Sequence, residues 1–351
     1  MSLAITALTS PVLAIAQSTP TELADLSLEA LLDFDFGDNT GDKKSRKSWK
    51  FDYSYHRLSI GGYKIGTKDV SFDDVLFTPG ETRTGQNYPV VPTFITQEVH
   101  GFSASYALSE QTALSILVPY ILQATDHISI LPGFDNFLLK SEGIGDIAFN
   151  ASHQKHINTK AILKFSAGVR IPVGSINNTG DTPRNGIGTL ERLPYTMQIG
   201  SGTFDTAFAL QYVCVEDELT YGATINSVVR TGKNKNDYRL GNNIGVGLWA
   251  QYAFNHWVQP AIRVNVRHIG EIKGRDASLL VPTAFPFPAS ITNPSNYGGE
   301  KANIALSLRS CPKKGCEISF NVEYGKPLYQ NLNGVQPKEK SNFSIGAAIK
   351  F

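Results

Sequence analysis

Residues 343–351 read Phe-Ser-Ile-Gly-Ala-Ala-Ile-Lys-Phe, and their alternation decides the fold. Phe343, Ile345, Ala347, Ile349 and Phe351 share one parity, and Ser344, Gly346, Ala348 and Lys350 the other. Successive side chains of a β-strand point to opposite faces, so the strip has one apolar face and one small or polar face. A strand with hydrocarbon on one side and a polar lumen on the other has this pattern. The edge strand of a soluble sandwich has it too, so the rest of the chain must separate the two.

Only 41% of the 351 residues are hydrophobic. No run approaches the roughly 20 apolar residues that a spanning helix needs. A shorter apolar stretch, Leu3 to Ile15, ends with small residues at Ala14 and Ala16 before Gln17. It reads as a secretory signal peptide over residues 1–16, shortened at its start because no basic segment precedes it. Residues 17–48 then read as a short periplasmic helix, with Leu28, Leu31 and Leu32 as its apolar stripe, and a polar linker.

From Trp49 to Phe351 about twelve segments show period-two patterning. They fall near 49–62, 90–108, 111–125, 143–155, 159–172, 202–215, 219–231, 239–254, 257–268, 301–310, 316–324 and 342–351. Every second connection is tiny: Ser109-Glu110, His156 to Asn158, Glu216 to Glu218, Asn255-His256 and the Cys311 to Cys316 turn. The intervening ones are mostly long: Lys64–Pro89, Asp126–Glu142, Val173–Gly200, Ile269–Gly299 and Gly325–Ser341, with Gly232–Tyr238 the shortest. Short turns on one rim and long loops on the other mark bacterial outer-membrane barrels. A sandwich has no reason to sort its loops this way. The expected fold is all-β, a transmembrane antiparallel barrel over 49–351 with both ends on the short-turn side.

Alternation also assigns facing. Lys164, Arg170, Asn226, Arg230, Arg263, Asn265, Arg267 and Glu323 read inward, with Asp205 beside them as a neutralising carboxylate. Inward arginines either bias the path toward anions and polarisable aromatic acids or pair with Asp205 and Glu323 and fill the lumen. Both readings stand at this stage. Phe285 and Phe287, in the proline-stiffened stretch Val281 to Pro288, form either a greasy mouth for hydrophobic solutes or packing over the barrel.

Cys311 and Cys316 flank a four-residue turn, close enough to form a disulfide in an oxidising compartment. Cys214 is left over, as a buried or lipid-facing thiol. A formal charge of +1 argues against a nucleic-acid partner. The histidines are scattered and no two cysteines are two apart, so neither metal nor cofactor is expected. His268 and His127, near strand ends, are candidates for an outer-membrane hydrolase, but no nucleophile motif accompanies them.

The second half carries recognisable phrases. They are Gly143-Ile144-Gly145-Asp146, Ile171-Pro172-Val173-Gly174, Leu193 to Asp205, Tyr238-Arg239-Leu240-Gly241, Asn293 to Gly299 and Gly325 to Gly334. Together they resemble outer-membrane proteins labelled as belonging to the meta-pathway of phenol degradation. That resemblance covers about Gly143 to Phe351 and implies a barrel admitting aromatic compounds. The terminal Phe351 resembles the signal read by the barrel-insertion machinery. Physically, Gly200, Gly202, Gly298 and Gly299 suit positive φ or close backbone approach, and Pro172, Pro194 and Pro327 suit strand ends. A folded cap explains such phrases as well as a solute gate does.

The expected function is passive uptake of small solutes, aromatic or hydrophobic ones among them, across the bacterial outer membrane, with lipid and solute as partners. About twelve strands enclose more room than eight and less than the sixteen of a general porin. A closed structural or adhesive barrel is the alternative, and a hydrolase the more remote one.

Overall fold

The computed structural model describes residues 48–312 and 316–351. The expected signal peptide and periplasmic helix lie outside the described residues. The wall runs in chain order through β1 (Trp49–Gly66), β2 (Val90–Ala107), β3 (Thr112–Ser129), β4 (Asn136–Ile144), β5 (Ile147–His156) and β6 (Ala161–Ile171). It continues through β7 (Asp205–Glu216), β8 (Leu219–Arg230), β9 (Asn243–Tyr252), β10 (Gln259–Ile269), β11 (Gly299–Ser310) and β12 (Ile318–Lys350). β4 and β5 share one position, pairing with the two ends of β3. All wall pairings are antiparallel, and β12 closes the ring on β1.

A closed, wholly antiparallel ring requires an even number of staves. β12 supplies the parity, because its first arm pairs with β11 and its second with β1. The arms meet at Gly334, where φ is +61°. Across them the Gln330 amide donates to the Glu339 carbonyl, and the Glu339 N–H to the Gln330 side chain. Eleven positions, the last of them doubled, thus give twelve staves. Closure leaves no unpaired edge, which hydrocarbon would not tolerate.

The two faces differ sharply. Phe165, Leu248 and Leu306 are 51%, 60% and 63% exposed, whereas the inward Gln97 and Gln259 are 0% exposed. An apolar exterior around a polar interior is stable only with lipid outside. At the short-turn rim Trp49 packs on Tyr106 at 4.8 Å, and Phe51 meets Phe351 edge-on at 6.2 Å. The Phe351 N–H donates to the Trp49 carbonyl, so the final residue of the chain docks beside the first strand.

Three expectations about connections need correction. Residues 126–142 and 325–341 are hairpins and not open loops, because β3 and β4 run on through the first to a turn at 130–135, and both arms of β12 run on through the second. Such hairpins project beyond the lipid, where each arm satisfies its partner's backbone and apolar residues such as Phe137 and Leu139 pack into the cap instead of facing hydrocarbon, so membrane alternation fades before the strand does. Pro327 does not end a strand either. It lies opposite Asn303 beside a register shift, the kind of bulge where a missing N–H is tolerated. By contrast β6 stops at Ile171, immediately before Pro172. At the short-turn rim Cys311 and Cys316 form a disulfide, with Cα atoms 5.0 Å apart. Cys214 is buried and free.

Candidate functional site

The interior is divided. On the β1–β3 side apolar residues are interspersed with inward polar ones: Leu58, Ile60, Ile95, Val99 and Ile121 cluster with Ile199, which comes from the long β6–β7 connection. A segment of that connection therefore reaches into the barrel and seals part of it. The Gln123 amide contacts the Gln198 carbonyl at 3.5 Å, and the Ser141 hydroxyl donates to the Met197 carbonyl at 2.7 Å.

One carboxylate holds both legs of this inserted loop. Asp146, 3% exposed, occupies the break between β4 and β5. Its Oδ1 accepts the Gly174 N–H at 2.9 Å. Its Oδ2 accepts the Ser201 N–H at 2.8 Å and the Ser201 hydroxyl at 2.7 Å. Gly174 and Gly200 lie back to back, so that a Cβ on Gly174 would be 2.7 Å from the Gly200 Cα. Three of the phrases read from the sequence thus converge on one knot, with the glycines there because two backbones touch.

The other phrases are joints of the same outer cap. Asn296 lies against Gly334, donates to the Tyr88 hydroxyl at 2.7 Å and accepts the Val335 N–H at 3.2 Å. Tyr195 meets Tyr238 edge-on at 4.8 Å within a cluster that includes Leu240, Ile269, Ile272, Leu279 and Tyr297. The Tyr195 hydroxyl accepts the Asp276 N–H at 2.9 Å, and burial pushes its pKa up to about 12, so it stays neutral. The loops form a folded cap with its own core.

Most of the expected inward residues are deeply buried on the interior face. Lys164, Arg170, Asp205, Arg230, Arg263, Arg267 and Glu323 are each 9% exposed or less, and Asn226 and Asn265 are half-buried. Asp205 on β7 stands in register between Arg170 on β6 and Arg230 on β8. Arg230 forms an ion pair with Asp205, which also accepts the Thr203 hydroxyl at 2.7 Å. Asp146 lies within Coulombic reach of Arg170. Two arginines are therefore matched by two carboxylates, a group that ties the cap to the wall.

From β10 to β12 the balance differs. The buried cations are Arg263, Arg267, Lys301 and Arg309, against the buried carboxylates Glu323 and Glu339. Lys301 pairs with Glu339 at 2.7 Å, while Nε of Arg263 has no hydrogen-bond partner. The inner wall is also kept flat here. Asn226 and Asn265 lie over Gly245 and Gly247, their directly opposite neighbours, where any Cβ would collide with the amide. Thr224, Asn226, Ala261, Asn265 and Ser307 are half-buried, and all face inward.

The mouth stretch is split. Phe287 packs onto a cap cluster around Tyr63, Val75, Tyr88, Val91 and Val335. Phe285 is 39% exposed and lies 5.2 Å beneath the Arg83 guanidinium. His268 is on the outer face, 3.5 Å from Glu300, and His127 is buried against Phe137, their rings stacked at 4.7 Å. Sequence reasoning missed Asp146 as the knot and Ile199 as the inserted apolar group. A signal was present, since Leu114, Ile116, Leu117, Val118, Ile121 and Leu122 are apolar on both parities, more than a lipid face alone needs.

The comparisons agree with this architecture. An outer-membrane channel from Pseudomonas putida F1 superposes with a TM-score of 0.55 at 13% identity, over 89% of this chain and 99% of that one. This chain has the fold of a bacterial outer-membrane β-barrel. The KdgM porin (TM-score 0.39, 10% identity, 86% and 99% of the two chains) and the transport unit of the autotransporter AIDA-I from Escherichia coli (0.42, 11%, 95% and 100%) are looser matches. No protein-family model and no curated protein matches the sequence.

Proposed function

We propose that the barrel is a passive channel for small solutes with a preference for anions, aromatic acids among them. The observation that carries this is the excess of buried positive charge on the inner face between β10 and β12. A net excess of cations over carboxylates lining a narrow, low-dielectric passage lowers the barrier to an anion and raises it for a cation, even where the individual cations are paired. The flattened Asn–Gly wall beside it leaves the half-buried inward positions open to a solute. Arg170 and Arg230 are matched by Asp146 and Asp205, so selectivity falls to Arg263 and Arg267. Arginine planes also stack on aromatic rings, which agrees with the resemblance to proteins of aromatic degradation.

Reversal potentials across a salt gradient test the assignment. Wild type should favour chloride over potassium, and Arg263→Ala combined with Arg267→Ala should abolish or reverse that preference while conductance persists. An unchanged ratio would make these arginines structural filling.

The same reading gives Phe351 a role in assembly as the residue recognised by the insertion machinery. Its exposed ring, 71% accessible, adds little to the barrel's own packing. Deleting Phe351 should therefore lower the outer-membrane yield several-fold in cells while leaving refolding into detergent nearly unchanged. Equal losses in both would assign the residue to stability instead.

A further inference from the structure

The outer face of the wall carries its cations unevenly. From β6 to β11 every lysine and arginine of the strands is buried on the lumen side. At the closing seam the order reverses: Arg57 on β1, and Lys326 and Lys340 on the two arms of β12, are exposed on the outside. Arg57 shares its parity with Phe51 and Tyr53, and Lys326 with Val322 and Tyr324. Lys340 gets there by a bulge. The pairing with β1 slips between Ser59 and Ile60, which leaves Lys340 with no residue opposite. Glu339 therefore stays inside on Lys301, while Lys340 turns out across Gly61, the re-aiming that a bulge provides. A Cβ on Gly61 would come within 3.1 Å of the Lys340 Cε and 3.3 Å of the Phe94 ring.

These cations sit where hydrocarbon gives way to headgroups. Arg57 and Lys326 each lie eight residues from the short-turn start of β1 and β12. At about 3.3 Å per residue and a tilt of about 40°, that is a climb of about 20 Å, close to the top of an apolar band about 25 Å tall. Lys340, ten residues from the other end of β12, reaches the same boundary. The two arms run side by side there, since the Asn342 amide covers Gly325, so Lys326 and Lys340 stand on adjacent staves. Arg57 has Glu98 at 3.8 Å, and Lys338 is paired with Asp69. Among the described residues neither Lys326 nor Lys340 has a carboxylate partner, and Lys326 lies 5.8 Å over the Tyr324 ring. Like charges on neighbouring strands repel, and an anion bridging them turns that repulsion into attraction. In the outer leaflet of a bacterial outer membrane the anion at this height is the phosphate of a glycolipid.

We propose that the seam is a binding site for the phosphorylated headgroup of the outer-leaflet glycolipid, lipid A, with one phosphate bridging Lys326 and Lys340 and acyl chains lying down the wall over Val322, Tyr324 and Ile345. The site depends on the outer-membrane setting and not on whether the barrel conducts.

Native mass spectrometry of the full-length barrel, folded in micelles and titrated with lipid A, counts bound lipid. The wild type should bind lipid A saturably, more tightly than its dephosphorylated form or phosphatidylglycerol. Lys326→Gln combined with Lys340→Gln should weaken it at least about tenfold, from the loss of two interfacial cations, whereas arginine at both positions should preserve it. Lys140→Gln is the control, since Lys140 is exposed on the outer face of β4 beside Glu142, and it should leave binding unchanged. Gel mobility before heating verifies that each variant is folded. Unchanged affinity in the double glutamine variant, an equal loss in Lys140→Gln, or no preference for the phosphorylated lipid would each overturn the proposal. So would displacement of lipid A by an equal concentration of inorganic phosphate, which would leave a simple anion site. Reversal potentials of the double variant in glycolipid-free bilayers should match the wild type, and a silent bilayer would defeat the channel while leaving lipid binding intact.

Discussion

Replacing Asp146 with alanine is expected to release the β6–β7 loop from the barrel. The carboxylate accepts three hydrogen bonds from the two legs of that loop, at Gly174 and Ser201. Its removal also leaves Arg170 with one anionic neighbour fewer. Breaking a buried charge arrangement by deleting one partner costs on the order of 3–5 kcal/mol. The wall has its own continuous ladder, so the loss should fall on the cap. Proteases should then cut within residues 172–204 in intact outer membranes, and single-channel conductance should rise as Gln198 and Ile199 leave the lumen. A variant as resistant and as conductive as wild type would show that the inserted loop is held by its apolar contacts alone. Asp146→Asn separates shape from charge: it can still accept at one oxygen, and should fall between the two.

A valine at position 200 should be nearly as damaging, for a steric reason. A Cβ there would run into the Gly174 carbonyl, and would meet the Asp146 carboxylate Oδ1 at 2.7 Å. Neither group can retreat, because the Asp146 bonds fix both strands of the contact. Overpacking of this kind typically costs about 1–3 kcal/mol, and more where backbone blocks relaxation. The temperature at which the compact barrel converts to the unfolded form on a gel reads the effect, and it should fall clearly. Gly186 is the control. It lies in the same loop with open space around it, but its φ of +92° makes alanine mildly strained there, so Gly186→Ala should cost far less. Equal losses at both positions would mean that the loop, not the contact with Gly174, is the sensitive element.

The wall was largely legible in the sequence, because lipid enforces alternation wherever it touches a strand. Phe165 and Val169 against Lys164 and Arg170 can be read without coordinates, as can Val264 and Val266 against Arg263 and Arg267. Legibility ended where lipid ends. Beyond Asp126 and after Gly325 the strands leave the lipid, and packing within the cap rather than hydrocarbon decides which positions are apolar. The alternation also failed inside β1–β3, where Ile60, Val99 and Ile121 face an inserted loop rather than water. Asp146 lay within a phrase that stood out, yet its partners at 174 and 201 are 28 and 55 residues away. No local pattern encodes such a meeting.

Conductance of the purified, folded wild-type barrel in planar bilayers tests the central claim most directly. Discrete steps above the bare-lipid baseline are expected, with a reversal potential displaced toward that of the anion in a salt gradient. Folded barrel that inserts, as verified by protease protection, yet leaves the bilayer silent would contradict it and make this a closed barrel.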